Sequence, residues 1–371
     1  MYEAALPGLQ VPFGPTVNPP LWELGHIGWF QEYWLARNPQ WSLGVRADPQ
    51  AVRLAGVRVN ADALYNSSEV PHASRWSLRL PDAMATRADL SAQLQSSLAL
   101  LDGLATKQGT GADAANDSAL HDALYFFRLA LHHEDMHHEA ALYMAQALEF
   151  AVPDARWQAP VLTEPGPYLQ LPTATQRLGQ PVGTEAGFAF DNEYGSLHVQ
   201  VPAFNVDTQV VRWSEYLSFV EIGGGASVPR YLRRASGGWQ QWRHGQWRDL
   251  NLAEPACHLT WHEANAWCHW AGRRLPTEAE WLYGATQAGA AFRWGDVWEW
   301  TASAFAPFPG FEPHPYRDYS APWFDGRLVL RGASYMTQPR MRHLHYRNFF
   351  EAHRNDVPVG FRSCATNFIA T

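Results

Sequence analysis

The sequence predicts an α+β protein in two parts, a helical bundle over residues 1–155 and an irregular, strand-containing domain over residues 171–371. Up to about residue 155, apolar residues recur three and four apart, the spacing of one helix face. From about Leu171 the chain turns to Gly, Pro, Trp and short β-like runs such as "HVQVPAFNVD", "RLVLRGAS" and "VGFRSCA". With 46% hydrophobic and 17% charged residues over a length of 371, it can bury a sizeable core in more than one domain.

In order along the chain, "MYEAALPG" reads as the tail of a first helix. "PPLWELGHIGWFQEYWLARNP" spaces Leu21, Leu24, Ile27 and Phe30 along a helix that stops at Asn38-Pro39. "NADALYNSSEVPHASRWSLRLPD" is polar and Pro-containing, and reads as a loop. "TRADLSAQLQSSLALLDGLA" is helical, with Thr86 or Asp89 as its cap and Gly103 near its end. Asp117 to Phe150 is a long amphipathic helix closed by Val152-Pro153. Three complete helices and one partial helix predict an antiparallel four-helix bundle. In the second part, "LTWHEANAWCHWAGRRLPTEAEW" sets two short helices around Arg274-Leu275-Pro276, and "GGGASVPRYLRRASGG" reads as a surface loop.

The net charge of −8, with 28 Lys and Arg and no basic run, argues against a nucleic-acid partner. No stretch is apolar enough to span a bilayer, and the N-terminus lacks the pattern of a secretory signal. Cys257, Cys268 and Cys364 are far apart and odd in number, which fits free thiols in a reducing cytoplasm. The 18 Trp are read mainly as core packing.

"LHHEDMHHEA" packs four histidines and three acids into ten residues. On a helix His133 and His137 lie on one face, roughly 40° out of line, and can grip one ion. His132 and His138 point about 100° away from their neighbours. A pair of partly exposed helix histidines explains the same spacing equally well. A metal needs a further ligand, and His26 is a candidate. Its imidazole lies in an apolar helix face, ordinarily the place of a satisfied core histidine, but opposite an HxxxH helix it could complete a site. Three neutral imidazoles suit Fe(II), Zn or Cu and leave positions open. The embedded HExxH also permits a zinc-protease reading, which needs Glu134 beside the metal as base. No HxxGxxH continuation follows.

"WELGHIGWF" with "HHEDMHHE" resembles the DinB-like half of the ergothioneine sulfoxide synthases. Their iron site combines one His of an HxxW segment with an HxxxHxE helix, which here are His26 with Trp29, and His133 and His137 with Glu139. "LTWHEANAWCHWAGRRLPTEAEW", "GDVWEWTAS", "LVLRGAS" and "YRNFFEAHRNDVPVGFR" resemble, in order, the formylglycine-generating-enzyme-like (C-type-lectin-like) fold. The resemblance covers about residues 15–371 and implies a DinB-like four-helix bundle followed by an irregular α+β substrate-binding domain. Its implied activity is that of a non-haem Fe(II) oxidoreductase, using O2 to form a C–S or C–Se bond at imidazole C2 of hercynine, the betaine of histidine. Formylglycine chemistry itself would need a copper-binding cysteine pair, which these three cysteines do not offer.

"NPPLWELGHIGWFQEYWLARNP", "LYNSSEVPHASRW" and "YRNFFEAHR" more narrowly resemble the selenoneine synthase branch, whose donor is a selenosugar. The runner-up is a sulfoxide synthase using cysteine or γ-glutamylcysteine, and a remote alternative is a non-catalytic metal- or thiol-binding protein. The resemblance implies substrate-binding roles for Asn348, Phe349, Phe350 and Arg354, and Arg75 could line the site. Phe350 stands where synthases using γ-glutamylcysteine carry an acid, and Met136 where a Gln often contacts hercynine. The family's active-site tyrosine should fall within "FAPFPGFEPHPYRDYS", leaving Tyr316 and Tyr319 as catalytic candidates beside Glu139. Plainer readings stand next to these. Arg354 could pair with Asp356 or Glu351, Arg75 could hold its own loop, Glu139 could be an exposed acid, and Trp298 and Trp300 could be fold core.

Overall fold

The structure is a computed structural model and describes residues 2–107, 114–181, 187–223 and 228–365. It forms two compact units, Met1–Met144 with His314–Asp318, and Ala145–Pro313 with Tyr319–Thr371.

The first unit is helical: α1 (Tyr2–Ala5), α2 (Pro20–Trp34), α3 (Ala61–Tyr65), α4 (Ala83–Lys107) and α5 (Ala114–Ala147). Three helices are long, and α1 is a single turn. Pro20 opens α2, where its fixed φ suits the first helical position and its missing N–H costs nothing. The segment from Asn60 to Asp82, expected as a loop, carries α3 and a 3₁₀ stretch, His72–Trp76.

Of the apolar residues chosen from the sequence for the core face of α2, only Phe30 is fully buried. Leu21, Leu24 and Ile27 are half-buried, and the buried face is Trp22, His26, Trp29 and Phe30. Indole rings remove more apolar area from water than leucines do, so the Trp-bearing face turns inward.

Two glycines on that helix allow its neighbours to approach. A Cβ on Gly25 would stand 2.3 Å from the Tyr65 ring of α3, and one on Gly28 would stand 2.5 Å from Leu90 Cδ2 of α4. Both spaces are filled by buried neighbours, so neither glycine can take a side chain without moving them.

Among the described residues, the second unit carries α6 (Trp213–Glu221), α7 (Trp261–Trp270), α8 (Glu278–Ala288) and thirteen short strands. These are β1 (Leu169–Leu171), β2 (Ala174–Leu178), β3 (Leu197–Val201), β4 (Phe204–Val206), β5 (Leu232–Ala235), β6 (Gly238–Arg243) and β7 (Gln246–Asp249). They continue as β8 (Arg273–Arg274), β9 (Trp298–Ala304), β10 (Leu328–Gly332), β11 (Asn348–Phe350), β12 (Val359–Gly360) and β13 (Cys364–Ala365). The sheets run β1-β4-β13-β8, β11-β10-β9-β12, β2-β3 and β5-β6-β7. The run expected as a surface loop, 223–238, instead supplies β5 and the first residue of β6. Arg233 and Arg234 pair there with Gln240 and Trp239, and residues 224–227 lie outside the described residues.

With so little regular structure, buried charged groups bind the loops together. At "RLPTEAEW", Thr277 and Glu280 cap α8 reciprocally, and Arg274 meets Glu280 at 2.6 and 2.8 Å. Glu278 receives Arg347 of "YRN" at 2.8 Å, and Glu299 of "VWEW" receives Trp281 at 2.9 Å and Arg362 at 2.5 Å. Trp298 and Trp300 are fully buried, and Trp300 Nε1 donates to the Leu259 carbonyl at 2.9 Å. Each fold motif therefore supplies one partner of a buried polar contact, since a charge left unpaired at such depth would be costly. Trp281, Leu282, Tyr283, Phe204, Val206 and Phe292 fill the apolar core around them.

Gly25→Ala and Gly103→Ala test the close packing of α2. Gly103 has open space around it in α4, so alanine should stabilise there by up to about 1 kcal/mol through helix propensity. At Gly25 the same gain meets an overpacking cost of about 1–3 kcal/mol, so net loss is expected in urea unfolding. A Gly25→Ala protein as stable as Gly103→Ala would show that Tyr65 yields freely.

Candidate metal centre

His26 comes from α2, and His133 and His137 come from successive turns of α5. One ring nitrogen of each lies within 4.8 Å of the other two. His26 and His133 are both 2% exposed. Aromatic rings wall the cluster: Trp22 stacks on His26 at 4.7 Å, and Phe30 stacks on His133 at 3.5 Å. His132 and His138 are half-buried, and Glu134 is exposed, turned away from the cluster as helix geometry requires. A metalloprotease base would have to reach the cluster, so the HExxH reading loses its support.

The hydrogen bonds assign the tautomers. His26 Nδ1 lies 2.8 Å from the Tyr65 carbonyl, which can only accept, so Nδ1 carries the hydrogen and Nε2 is left as the lone-pair nitrogen. His137 Nδ1 hydrogen-bonds Glu23 Oε2. Burial alone would raise the Glu23 carboxyl. His137 beside it, together with His26 and the Asn18 amide, outweighs that and holds it at about 2. An ionised carboxylate accepts, so His137 too carries hydrogen on Nδ1. Burial pushes His26 down to about 3, aided by His137 and opposed by Glu23 and the Tyr65 carbonyl. Burial likewise holds His133 well below the usual imidazole range.

The resulting arrangement suits a cation. His133 Nε2 and His137 Nε2 stand 3.2 Å apart, too close for two lone pairs to rest without a proton or metal between them. His133 Nδ1 is buried without a hydrogen-bond partner among the described residues. Neutral imidazoles with their second nitrogen anchored are the usual form of metal ligands. A cavity of about 280 Å³, lined largely by Leu9, Leu24, Ile27 and Met144, reaches Glu23 and His137.

Tyr316 is in the same unit, its ring edge-on to Phe30 at 4.8 Å and 6.0 Å from the His133 ring. Tyr319 belongs to the second unit, where it stacks on Phe190 at 4.0 Å and donates to Tyr346 Oη at 3.2 Å. Glu139 is buried on α5, but the carboxylate on His137 is Glu23, from another helix. Arg75 lies in the first unit, 3.9 Å over the Trp22 ring, and donates to Asn18 Oδ1 at 2.7 Å.

The remaining substrate candidates lie in the second unit. Asn348, Phe349 and Phe350 form β11 and are half-buried, and Asn348 Oδ1 accepts from the Phe349 amide. Arg354 makes a double contact with Asp356 at 2.7 and 2.9 Å and lies over the Phe350 ring, so the Asp356 pairing is the one formed. Glu351 instead receives Arg327. The three cysteines are free and buried.

Sequence reasoning missed Glu23, Asn18 and the stacking rings Trp22 and Phe30. A signal existed for Glu23: an acid three residues before His26 on a helix otherwise rich in Trp and Leu is a charge that folding must bury with a partner.

Metal binding should appear as stability. At a metal concentration 100 times Kd, ligand linkage predicts about 2.7 kcal/mol of added stability. His133→Ala should abolish that increment in thermal melts while leaving the metal-free transition within a few degrees. An increment that survives in the variant would place the ion elsewhere.

Comparison with known proteins follows the same division. Residues 7–141 match the DinB superfamily, and residues 151–296 and 289–367 match the sulfatase-modifying factor enzyme 1-like domain. The hercynine oxygenase of Mycobacterium tuberculosis is 30% identical, in an alignment spanning 94% of this chain and 91% of that protein. The hercynine oxygenase of Mycolicibacterium smegmatis is 28% identical over the same shares. A formylglycine-generating enzyme from Streptomyces coelicolor is 25% identical, over 47% of this chain and 82% of its own length. With both domain types in order and nearly full-length similarity, the chain belongs to the hercynine oxygenase family of oxidoreductases.

Proposed function

We propose that this protein is an Fe(II)- and O2-dependent enzyme that forms a C–Se or C–S bond at imidazole C2 of hercynine, with His26, His133 and His137 holding the iron. The convergence of these three imidazoles, two buried and His137 half-buried, carries the reading. Bound iron would supply the redox centre at which O2 and the chalcogen donor meet the imidazole. Holding reactants together in this way replaces an encounter of separate species by positioning. In either version the step balances: selenol or thiol, C2–H and O2 give the selenoxide or sulfoxide and water.

The chain's own residues have separable tasks. Tyr65 and Glu23 orient His26 and His137, and Phe30 and Trp22 exclude water from the ligand nitrogens. We assign the proton-donating tyrosine to Tyr316, because its ring meets Phe30 and His133 within the same compact unit. Asn348, Phe349, Phe350 and Arg354, with Arg75, are the residues we expect to contact substrates.

A selenosugar is the favoured donor. Phe350 offers no charge, and the Arg354 guanidinium is already engaged by Asp356, so this stretch is poorly arranged for a charged peptide. Cysteine or γ-glutamylcysteine is the second reading, and similarity to enzymes named for hercynine supports the imidazole substrate of both readings alike. The buried, unpaired cysteines suit a reducing cytoplasm, and no helix among the described residues is long and apolar enough to cross a membrane.

Anaerobic loading with Fe(II), then hercynine and O2 with 1-seleno-glucose, cysteine or γ-glutamylcysteine in parallel, separates the readings by mass spectrometry. A selenium adduct from the sugar alone is expected. A sulfoxide from a thiol would move the protein to the sulfur reading, and iron-loaded protein with no adduct from any donor would defeat both. Tyr316→Phe should keep iron and shift products from the adduct toward plain oxidation of the donor. An unchanged product ratio would remove Tyr316 from the chemistry.

A further inference from the structure

Glu23 is an acid 7% exposed on the Trp-rich face of α2, and both its carboxylate oxygens are engaged. Oε2 takes His137 Nδ1, and Oε1 takes Asn18 Nδ2 at 2.5 Å. Asn18 Oδ1 in turn accepts from Arg75 Nη1 at 2.7 Å. The guanidinium lies 3.9 Å over the Trp22 ring, and that ring stacks on His26 at 4.7 Å with only 10° between planes. Trp22 is fixed at its far edge by donating to the Leu64 carbonyl at 2.7 Å. The contacts therefore close a circuit: His137, Glu23, Asn18, Arg75, Trp22, His26. It begins on one candidate ligand, ends on another, and crosses from α5 through α2 to the segment around Asn18 and the 3₁₀ stretch bearing Arg75.

The circuit's chemistry has a direction. A carboxylate on Nδ1 commits the hydrogen of His137 to that nitrogen, so Nε2 is the atom offered beside His133. Asn18 keeps the carboxylate from rotating, and Arg75 keeps the Asn18 amide from flipping. Arg75 is half-buried, and burial lowers its guanidinium from the usual range while the Glu23 carboxylate opposes that.

We propose that Glu23 is a positioning residue for the metal centre, selecting and aiming His137 Nε2, and that Asn18 and Arg75 hold it in place. This rests on the metal-centre reading above. It also gives Arg75 a structural task in addition to the substrate contact expected of it.

Co(II) titration of the metal-free full-length chain tests it, read as Kd by chelator competition and as the visible ligand-field spectrum. Glu23→Ala should weaken Co(II) by about 10–100-fold and alter the spectrum, as loss of an outer carboxylate does elsewhere. Glu23→Gln retains an acceptor for Nδ1–H and should fall nearer to wild type in Kd and spectrum. Asn18→Ala should show a smaller loss in the same direction, and it decides the matter if Glu23→Ala lacks the helical circular dichroism of wild type. Unchanged Kd and spectrum in folded Glu23→Ala, or in Asn18→Ala where Glu23→Ala does not fold, would overturn the inference alone. So would Glu23→Gln as weak as folded Glu23→Ala, which would make Glu23 a counter-charge. A wild-type chain that binds no Co(II) would overturn the metal-centre reading itself.

Discussion

Two imidazole nitrogens, His133 Nε2 and His137 Nε2, face each other at 3.2 Å with a third histidine beside them, and aromatic rings stack on His26 and His133. At that spacing a shared hydrogen or a cation must lie between the two nitrogens. Much of the first unit serves that cluster. Gly25 admits the Tyr65 ring, which puts the Tyr65 carbonyl on His26, and Phe30 lies flat on His133.

The second unit solves a different problem. Its strands run from two to seven residues, too short for backbone ladders alone to organise it. Ion pairs that are almost completely buried, Glu299 with Arg362 and Glu278 with Arg347, tie segments distant in sequence. Such pairs contribute little net stability against an apolar core, yet they are strongly destabilising to break. The fold motifs "RLPTEAEW", "VWEW" and "YRN" are therefore chiefly structural. Fold similarity to formylglycine-generating enzymes accordingly says little about the reaction, which must be argued from the site.

The family assignment and the geometry reinforce one another at different levels. Similarity over nearly the whole length places the chain among the hercynine oxygenases. The histidine cluster lies wholly within the helical unit. The segment His314–Asp318 belongs to the first unit although it lies deep in the second half of the sequence, and it brings Tyr316 beside Phe30 and His133.

The local sequence specifies the two-part α+β organisation and the long helices, because periodicities of two and 3.6 are local properties of the chain. It also determined that His133 and His137 share a face, since spacing along one helix fixes that angle. It offered His26 as a candidate third ligand, and resemblance added the family. Which face of α2 is buried depends on packing between helices, because Trp22 and Trp29 compete with Leu21, Leu24 and Ile27 for buried area. Likewise only the tertiary structure decided that Glu23 meets His137, 114 residues away, that Arg354 is matched by Asp356, and that Tyr316 and Tyr319, three residues apart, belong to different units. These are contacts between elements, and no local pattern encodes the position of a partner that distant in the chain.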